Sequence, residues 1–240
     1  MPAMLDNVAH TSKKEQVKAL FNHIAPHYDW LNHLLSLRVD VLWRKKLVRL
    51  ALQHRPQNVL DAATGTADVA IALARGNACK VIGVDISAGM LQLALQKVQR
   101  AKLQNCIRLQ QADGEHLPFA DNTFDAATIA FGIRNYENRR AGLQEFLRVL
   151  RPQGSLLVLE FSLPQNRAVA ALYEFYFYRI LPVIGKIISK NQSAYTYLPQ
   201  SVQAFPTPKD FSLELQSIGF GQVTSTKLSL GIAHIYEATK

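Results

Sequence analysis

At 240 residues, 48% hydrophobic and 19% charged, the chain has the length for one α/β domain with a full core and the composition of a soluble globular protein; low-complexity tracts and internal repeats are absent. The two cysteines, Cys79 and Cys106, are isolated, which argues against a disulfide framework or a cysteine metal cluster and fits a reducing compartment. A net charge of +9 suggests an anionic partner, nucleic acid or an acidic lipid surface, and charge alone does not choose between them. The polar N-terminus (Asp6, Asn7, His10, Lys13, Lys14) carries no apolar signal region, so a cytoplasmic location is expected. No uncharged apolar run is long enough to span a membrane.

Residues 13–55 read as helical, with apolar positions at Val17, Leu20, Phe21 and Ile24 and then at Leu31, Leu34, Leu35 and Leu37, interrupted at Pro26. Arg38, Arg44, Lys45, Lys46, Arg49 and Arg55 give this stretch a cationic character against the single acid Asp40. Residues 1–55 are therefore expected to form an N-terminal helical part and residues 56–240 the main domain. Strands are predicted near 58–61, 80–85, 107–111, 125–130 and 155–161, with helices near 67–75, 88–101 and 138–149, so the sheet should be largely parallel. Arg151-Pro152-Gln153-Gly154 is predicted as a turn between helix and strand. Residues 165–205 interrupt the alternation with an aromatic-rich insertion. A helix near 208–218 ends at Gly219, and strands near 222–229 and 232–238 should close the sheet as an antiparallel pair.

The densest signal lies in residues 58–90. An apolar run ends in Asp61, the turn Ala62-Ala63-Thr64-Gly65-Thr66 follows, then helical sequence, then a second apolar run ending in Asp85. This is a βαβ unit with carboxylates at both strand ends, where open sheets bind ligands. Gly65 lets the backbone approach a ligand closely, and Asp85 stands where an acid accepts ribose hydroxyls. The turn lacks the richer glycine pattern that a dinucleotide pyrophosphate wants. One glycine, flanking threonines and Asp61 suit a nucleoside with an ammonium and a carboxylate, which is S-adenosyl-L-methionine.

Two further segments follow in register. Asp113-Gly114-Glu115-His116-Leu117-Pro118-Phe119 comes after a predicted strand, and Asp113 reads either as an acceptor for the adenine amine beside an apolar wall or as a turn residue. Phe131-Gly132-Ile133-Arg134-Asn135-Tyr136 ends another strand, and Arg134 with Asn135 can bind an oxygen-bearing aromatic or simply meet solvent.

The segments FNHIAPHYDWLNHLLSLRVDVLWRK, VLDAATGTAD, GVDIS, ADGEHLPFADNTFD, FGIRN, RVLRPQGSLLVLEFS and SAYTYLPQSV occur in this order across nearly the whole chain. Together they resemble the quinone-biosynthesis C-methyltransferases that act on demethylmenaquinone and, in some bacteria, on the ubiquinone precursor. The resemblance implies a class I methyltransferase, with a Rossmann-like, seven-stranded, mostly parallel sheet, the N-terminal helical cover and residues 165–205 as an inserted lid. It assigns Thr66, Asp85, Asp113 and Gly114 to the cofactor, beside Asp61 and Gly65. Arg134 and Asn135 fall on the substrate side with Tyr28 from the cover. Ala67 stands where many members have glycine, Ala130 replaces a common serine, and Leu37-Arg38-Val39-Asp40 replaces a stretch containing glycine and histidine.

The implied chemistry is methyl transfer to an unsubstituted ring carbon of a reduced, prenylated naphthoquinol. That carbon becomes nucleophilic when the neighbouring hydroxyl loses its proton, so the site needs a proton acceptor and an oxyanion partner. Arg134 suits the second role, with water, His116 or His27 open as acceptor. No nucleic acid is expected, because the motifs of exocyclic-amine and C5 base methylation are missing. Residues 165–205 hold Phe175, Tyr176, Phe177, Ile180 and Leu181 among Arg167, Arg179, Lys186 and Lys190, which suits a transient anionic membrane surface or a lid over the ring. A homo-oligomer is left open.

Overall fold

The protein is described from a computed structural model over residues 12–25, 38–76, 80–175 and 193–240. Helix α1 (Lys13–Ile24) opens this structure, N-capped by Ser12, whose hydroxyl accepts the Glu15 amide. Helix α2 (Val39–Ala51) follows. Then come β1 (Asn58–Ala62), α3 (Asp68–Gly76), β2 (Lys80–Asp85), α4 (Ala88–Arg100), β3 (Ile107–Gln111), β4 (Phe124–Ala130), α5 (Arg139–Val149) and β5 (Leu150–Phe161). Helices α6 (Arg167–Phe175), α7 (Ser193–Gln203) and α8 (Pro208–Ile218) lead to β6 (Val223–Leu228) and β7 (Ala233–Thr239).

The strands form one seven-stranded sheet in the order β3-β2-β1-β4-β5-β7-β6. The first five are parallel, and β7 runs antiparallel between β5 and β6. The sheet is the layered α/β architecture that the alternation of elements predicts. In β5 the side-chain period of two is visible in burial: Leu157 and Leu159 enter the cluster of Trp43, Leu47, Leu73 and Val98, while Leu156 and Val158 enter that of Leu60, Phe146, Phe211 and Tyr236. Each fully buried side chain of this size contributes roughly 1.5–3 kcal/mol.

Residues 151–154 do not separate helix from strand as predicted. Leu150 already pairs with Phe124, and the register then shifts so that Ser155 pairs with Ala126. The turn is a bulge inside β5, opposite Asp125, with Gln153 at φ 67. A side chain on Gly154 would press on the Arg151 and Asp125 carbonyls, which is why glycine ends the bulge. In the insertion at 165–205, α6 and α7 are seen; residues 176–192, with Arg179, Lys186 and Lys190, lie outside the described residues.

Helix α1 is fastened over the C-terminal ends of the strands. Asn22 Oδ1 accepts from the Ser87 hydroxyl at 2.7 Å and the Gly89 amide at 3.0 Å, while Val17 is buried. Helix α2 inserts Trp43 against Phe131 and Phe161, with ring centroids 6.2 and 6.0 Å away.

Candidate active site

β1 lies between β2 and β4, so the crossovers leave β1 in opposite directions and a crevice opens at the strand C-termini. The crevice is open to solvent on one side and is lined by Gly65, Asp85, Asp113, Phe131, Asn135 and Tyr136 among others. Gly65 at φ +55 forms its floor, and an added Cβ there would meet nothing within 4 Å. The backbone thus faces open space. Ala63 and Ala67 also take positive φ, 48 and 68, a sharp reversal that the alanines hold under strain.

Asp85 ends β2 at the crevice. Its Oδ2 accepts the Gly65 amide at 2.8 Å and its Oδ1 the Ser87 amide at 2.9 Å. Burial pushes this carboxyl up, and the amides of Ser87 and Gly65 oppose the rise. Ser87 then caps α4 by accepting the Met90 amide. Asp61 is 1% exposed behind the turn and does not line the crevice. The Thr64 and Thr128 hydroxyls donate to its two oxygens at 2.6 and 2.7 Å. Burial raises its pKa to about 6 despite those bonds, and the charge of Asp85 adds to the rise.

Asp113 stands across the crevice from the turn. Its Oδ1 accepts the Glu115 amide at 2.9 Å, and Lys14 of α1 donates to its Oδ2 at 2.6 Å. Lys14 also reaches Glu115 at 3.3 Å. Burial would raise the Asp113 carboxyl, but Lys14 and the Glu115 amide hold it below the usual carboxylate range. Gly114 is glycine for a steric reason: a Cβ there would overlap the Tyr136 hydroxyl, and one on Gly142 the Tyr136 ring. Tyr136 is slotted between these two glycines, and its buried hydroxyl has no hydrogen-bond partner among the described residues.

The other wall follows β4. Phe131 at φ 59 turns the chain into a single 3₁₀ turn, Ile133–Asn135. Asn135 lines the crevice and accepts a hydrogen bond at Oδ1 from the Tyr197 hydroxyl of α7, 2.9 Å away. Arg134 sits behind that lining. Its Nη1 donates to the Phe131 carbonyl and, at 2.7 Å, to Glu160 Oε1, while its Nε reaches the Ser201 hydroxyl at 3.3 Å. The guanidinium carbon lies 5.5 Å from the centre of the Phe161 ring. Glu160 is fully buried; desolvation raises its carboxyl, and Arg134 opposes the rise. Lys13 ties α1 to the same turn through the carbonyls of Arg134 and Tyr136, at 3.2 and 2.7 Å.

Of the sequence-predicted site residues, Gly65, Asp85, Asp113, Gly114 and Asn135 converge on the crevice wall. Asp61, Thr66 and Arg134 stand behind it, and Thr66 turns its hydroxyl to Lys97 at 2.9 Å. Tyr28 and His27 lie outside the described residues. His116 is exposed, with its ring 3.5 Å from Asp113. Lys14, Tyr136, Glu160 and Tyr197 were not singled out from the sequence. Only Glu160, a lone carboxylate inside the apolar run Leu156–Phe161, carried a readable signal.

The profile of the ubiE/COQ5 methyltransferase family matches residues 9–240. A demethylmenaquinone methyltransferase of Porphyromonas gingivalis is 44% identical over 230 residues, 95% of this chain and 94% of that protein. A ubiquinone/menaquinone biosynthesis C-methyltransferase UbiE of Geobacter sulfurreducens is 44% identical over 96% of this chain and 90% of its own length. Among solved structures, the [4+2]-cyclase SpnF superposes with a TM-score of 0.71 at 16% identity, covering 95% of this chain and 96% of its own. A SAM-dependent methyltransferase of Aquifex aeolicus gives 0.53 at 19% identity, over 76% of this chain and 81% of its own. The structural likenesses establish the fold, which a cyclase and a methyltransferase share.

Proposed function

The chain belongs to the ubiE/COQ5 methyltransferase family, and from that premise we propose that it transfers a methyl group from S-adenosyl-L-methionine to a ring carbon of demethylmenaquinol, the C-methylation of menaquinone biosynthesis. The name of the Geobacter relative supports extending this to a ubiquinone precursor. The observation that carries the reading is the acidic lining of the crevice. Asp85, Asp113 and Glu115 surround the open floor at Gly65 in a protein of net charge +9. Such a lining suits a ligand whose adenine amine and ribose hydroxyls are donors and whose ammonium and sulfonium carry positive charge.

When bound, S-adenosylmethionine supplies an electrophilic methyl group. Asp85 accepts the ribose hydroxyls, since each of its oxygens keeps a lone pair beyond its backbone bond. Asp113 takes the adenine amine and shares its carboxylate with Lys14. Asp61 acts through Thr64, holding the loop, Thr66 braces it from behind through Lys97, and Gly114 completes the lining of the pocket.

Arg134 cannot serve as the base, because a guanidinium stays protonated. Its charge, set behind the crevice lining beside Glu160, stabilises through the field at the wall the naphtholate that makes the ring carbon nucleophilic. Water takes the hydroxyl proton, the methyl leaves a neutral thioether, and the ring carbon then gives up its own proton. Asn135, held by Tyr197, orients the ring oxygen, and the family likeness supports assigning Tyr28 to the same substrate. Purified protein with S-adenosylmethionine and a reduced short-tail demethylmenaquinone should give a product heavier by one methylene in the mass spectrum. Absence of that product, or equal reaction of the oxidised quinone, would overturn the reading.

A prenylated quinol resides in a bilayer, so peripheral contact with an anionic membrane belongs to this proposal, with residues 1–55 as cover and 165–205 as lid. Leu42, Leu163, Phe175 and Leu230 are between 48% and 68% exposed, and Arg38, Lys45 and Arg49 are exposed beside Leu42 on α2. No described helix is long and apolar enough to cross a membrane. Salt-sensitive sedimentation with phosphatidylglycerol vesicles is expected, and no binding at low ionic strength would remove this part.

A further inference from the structure

Glu160 stands at the end of β5 with 0% of its surface exposed. Its Oε1 accepts the Arg134 guanidinium at 2.7 Å and the Phe161 amide at 2.9 Å. Its Oε2 faces the Arg134 main-chain amide at 3.4 Å. One carboxylate therefore meets both the side chain and the backbone of the residue assigned to the substrate oxygen. Its neighbours along the strand, Leu157, Val158 and Leu159, are apolar and fully buried. Apolar residues in place of the whole pair would serve stability at least as well, since a buried ion pair rarely repays its desolvation, whereas losing Glu160 alone would leave the Arg134 charge buried without a partner. The carboxylate is explained by what it does to Arg134.

We propose that Glu160 is a positioning residue for methyl transfer: it fixes the turn at residues 133–135 and holds the Arg134 charge balanced until the substrate oxygen ionises. The inference rests on the assignment of Arg134 to that oxygen. Among the described residues, the other ionisable groups around the pair are Tyr197 of α7 and Tyr236 of β7, each close enough to feel the Glu160 charge, His234 of β7, opposite Glu160 in the strand register and held below the usual imidazole range by burial, and Lys13 on the Arg134 carbonyl. Both tyrosines are pushed up by burial and stay neutral, so the local balance is Arg134 against Glu160, with Lys13 at the rim. Removing the carboxylate leaves the guanidinium misplaced and uncompensated. The first effect slows the reaction; the second lowers the pH at which the naphthol ionises.

The test measures kcat and KM for the quinol against pH in wild type, Glu160→Gln, Arg134→Ala and the double variant. Cofactor affinity by calorimetry and thermal unfolding are followed alongside. Glu160→Gln should keep S-adenosylmethionine affinity within twofold, lose about 10- to 100-fold in kcat, and move the acid limb of kcat to lower pH. In the Arg134→Ala background the same substitution should change kcat less than twofold. Glu160→Asp, which keeps the charge, should recover part of the rate without moving the acid limb, and it decides the matter if the glutamine variant does not fold. Equal losses in both backgrounds, an unmoved acid limb in Glu160→Gln, or a lowered melting temperature with intact turnover would make Glu160 a structural ion pair only. Turnover surviving Arg134→Ala itself would instead remove the Arg134 assignment.

Discussion

On the β1–β3 side of the crevice, Asp85 is fixed by the main-chain amides of Gly65 and Ser87, a nearby turn and the residue two positions on. On the β4–β5 side, Arg134 and Asn135 are fixed by side chains from elsewhere: Glu160 of β5, Ser201 and Tyr197 of α7, with Lys13 of α1 on the backbone of the turn. Asp85 and its turn are a property of one βαβ unit, while Asp113 beside them draws on a distant partner, Lys14 of α1. The second half exists only when three distant elements, β5, α7 and α1, have assembled on the turn after β4. Damage near the cofactor should therefore stay with cofactor binding, whereas the substrate half can be disabled from several places that never touch substrate.

The sharpest way to break this division is Arg134→Ala. Loss of one oxyanion donor typically costs about 10²–10³ in kcat, and cofactor affinity should stay within twofold by calorimetry. A parallel loss of affinity would mean that the halves are not separable. Asp85→Ala should do the opposite. Losing charged hydrogen bonds costs roughly 1.5–3 kcal/mol, so S-adenosylmethionine should bind about 10- to 150-fold more weakly. Unchanged affinity in the folded variant would take Asp85 out of the site.

Asp61 sharpens the comparison through pH. Its folded pKa of about 6 lies above its ordinary value, so its contribution to stability is fully present below the unfolded value and is lost as pH rises through about 6. Wild type should gain stability relative to Asp61→Asn as pH falls from 7.5 to 4.5, by about 1–3 kcal/mol at 1.36 kcal/mol per unit. Urea unfolding at several pH values reads this, and a constant difference would contradict it. The smallest effect is expected for Tyr197→Phe, which removes one hydroxyl from Asn135. A neutral hydrogen bond contributes about 1 kcal/mol, so kcat should fall roughly fivefold with cofactor affinity unchanged. A shift in cofactor affinity instead would place α7 on the wrong half.

The same division explains what was legible in the chain. Asp61, Gly65 and Asp85 could be read because strand ends, a tight turn and a following helix N-terminus are local patterns. The largely parallel sheet followed from the alternating elements and the closing antiparallel pair from the two last apolar runs, whereas the strand order, with β1 between β2 and β4, is set by packing that no local pattern shows. Glu160 is a lone carboxylate in an apolar run, a signal that alone does not assign it to the site, because its partner lies 26 residues earlier and no spacing rule connects them. Tyr197 and Lys14 meet their partners across 62 and 99 residues. The role of Gly114 was equally hidden, since its lack of a side chain answers to the ring of Tyr136. The bulge at 151–154 looked like a turn because its residues are turn formers; what made it part of β5 was pairing to β4 on both sides of it.

Carbon methylation is the claim on which the substrate half depends, and the position of the transferred methyl tests it most directly. The protein should be incubated with S-adenosylmethionine carrying a ¹³C methyl and with reduced short-tail demethylmenaquinone, and the isolated product examined by carbon NMR. The account predicts a single labelled methyl bonded to a ring carbon. A labelled methyl on a ring oxygen, or label that never leaves the cofactor, would contradict it.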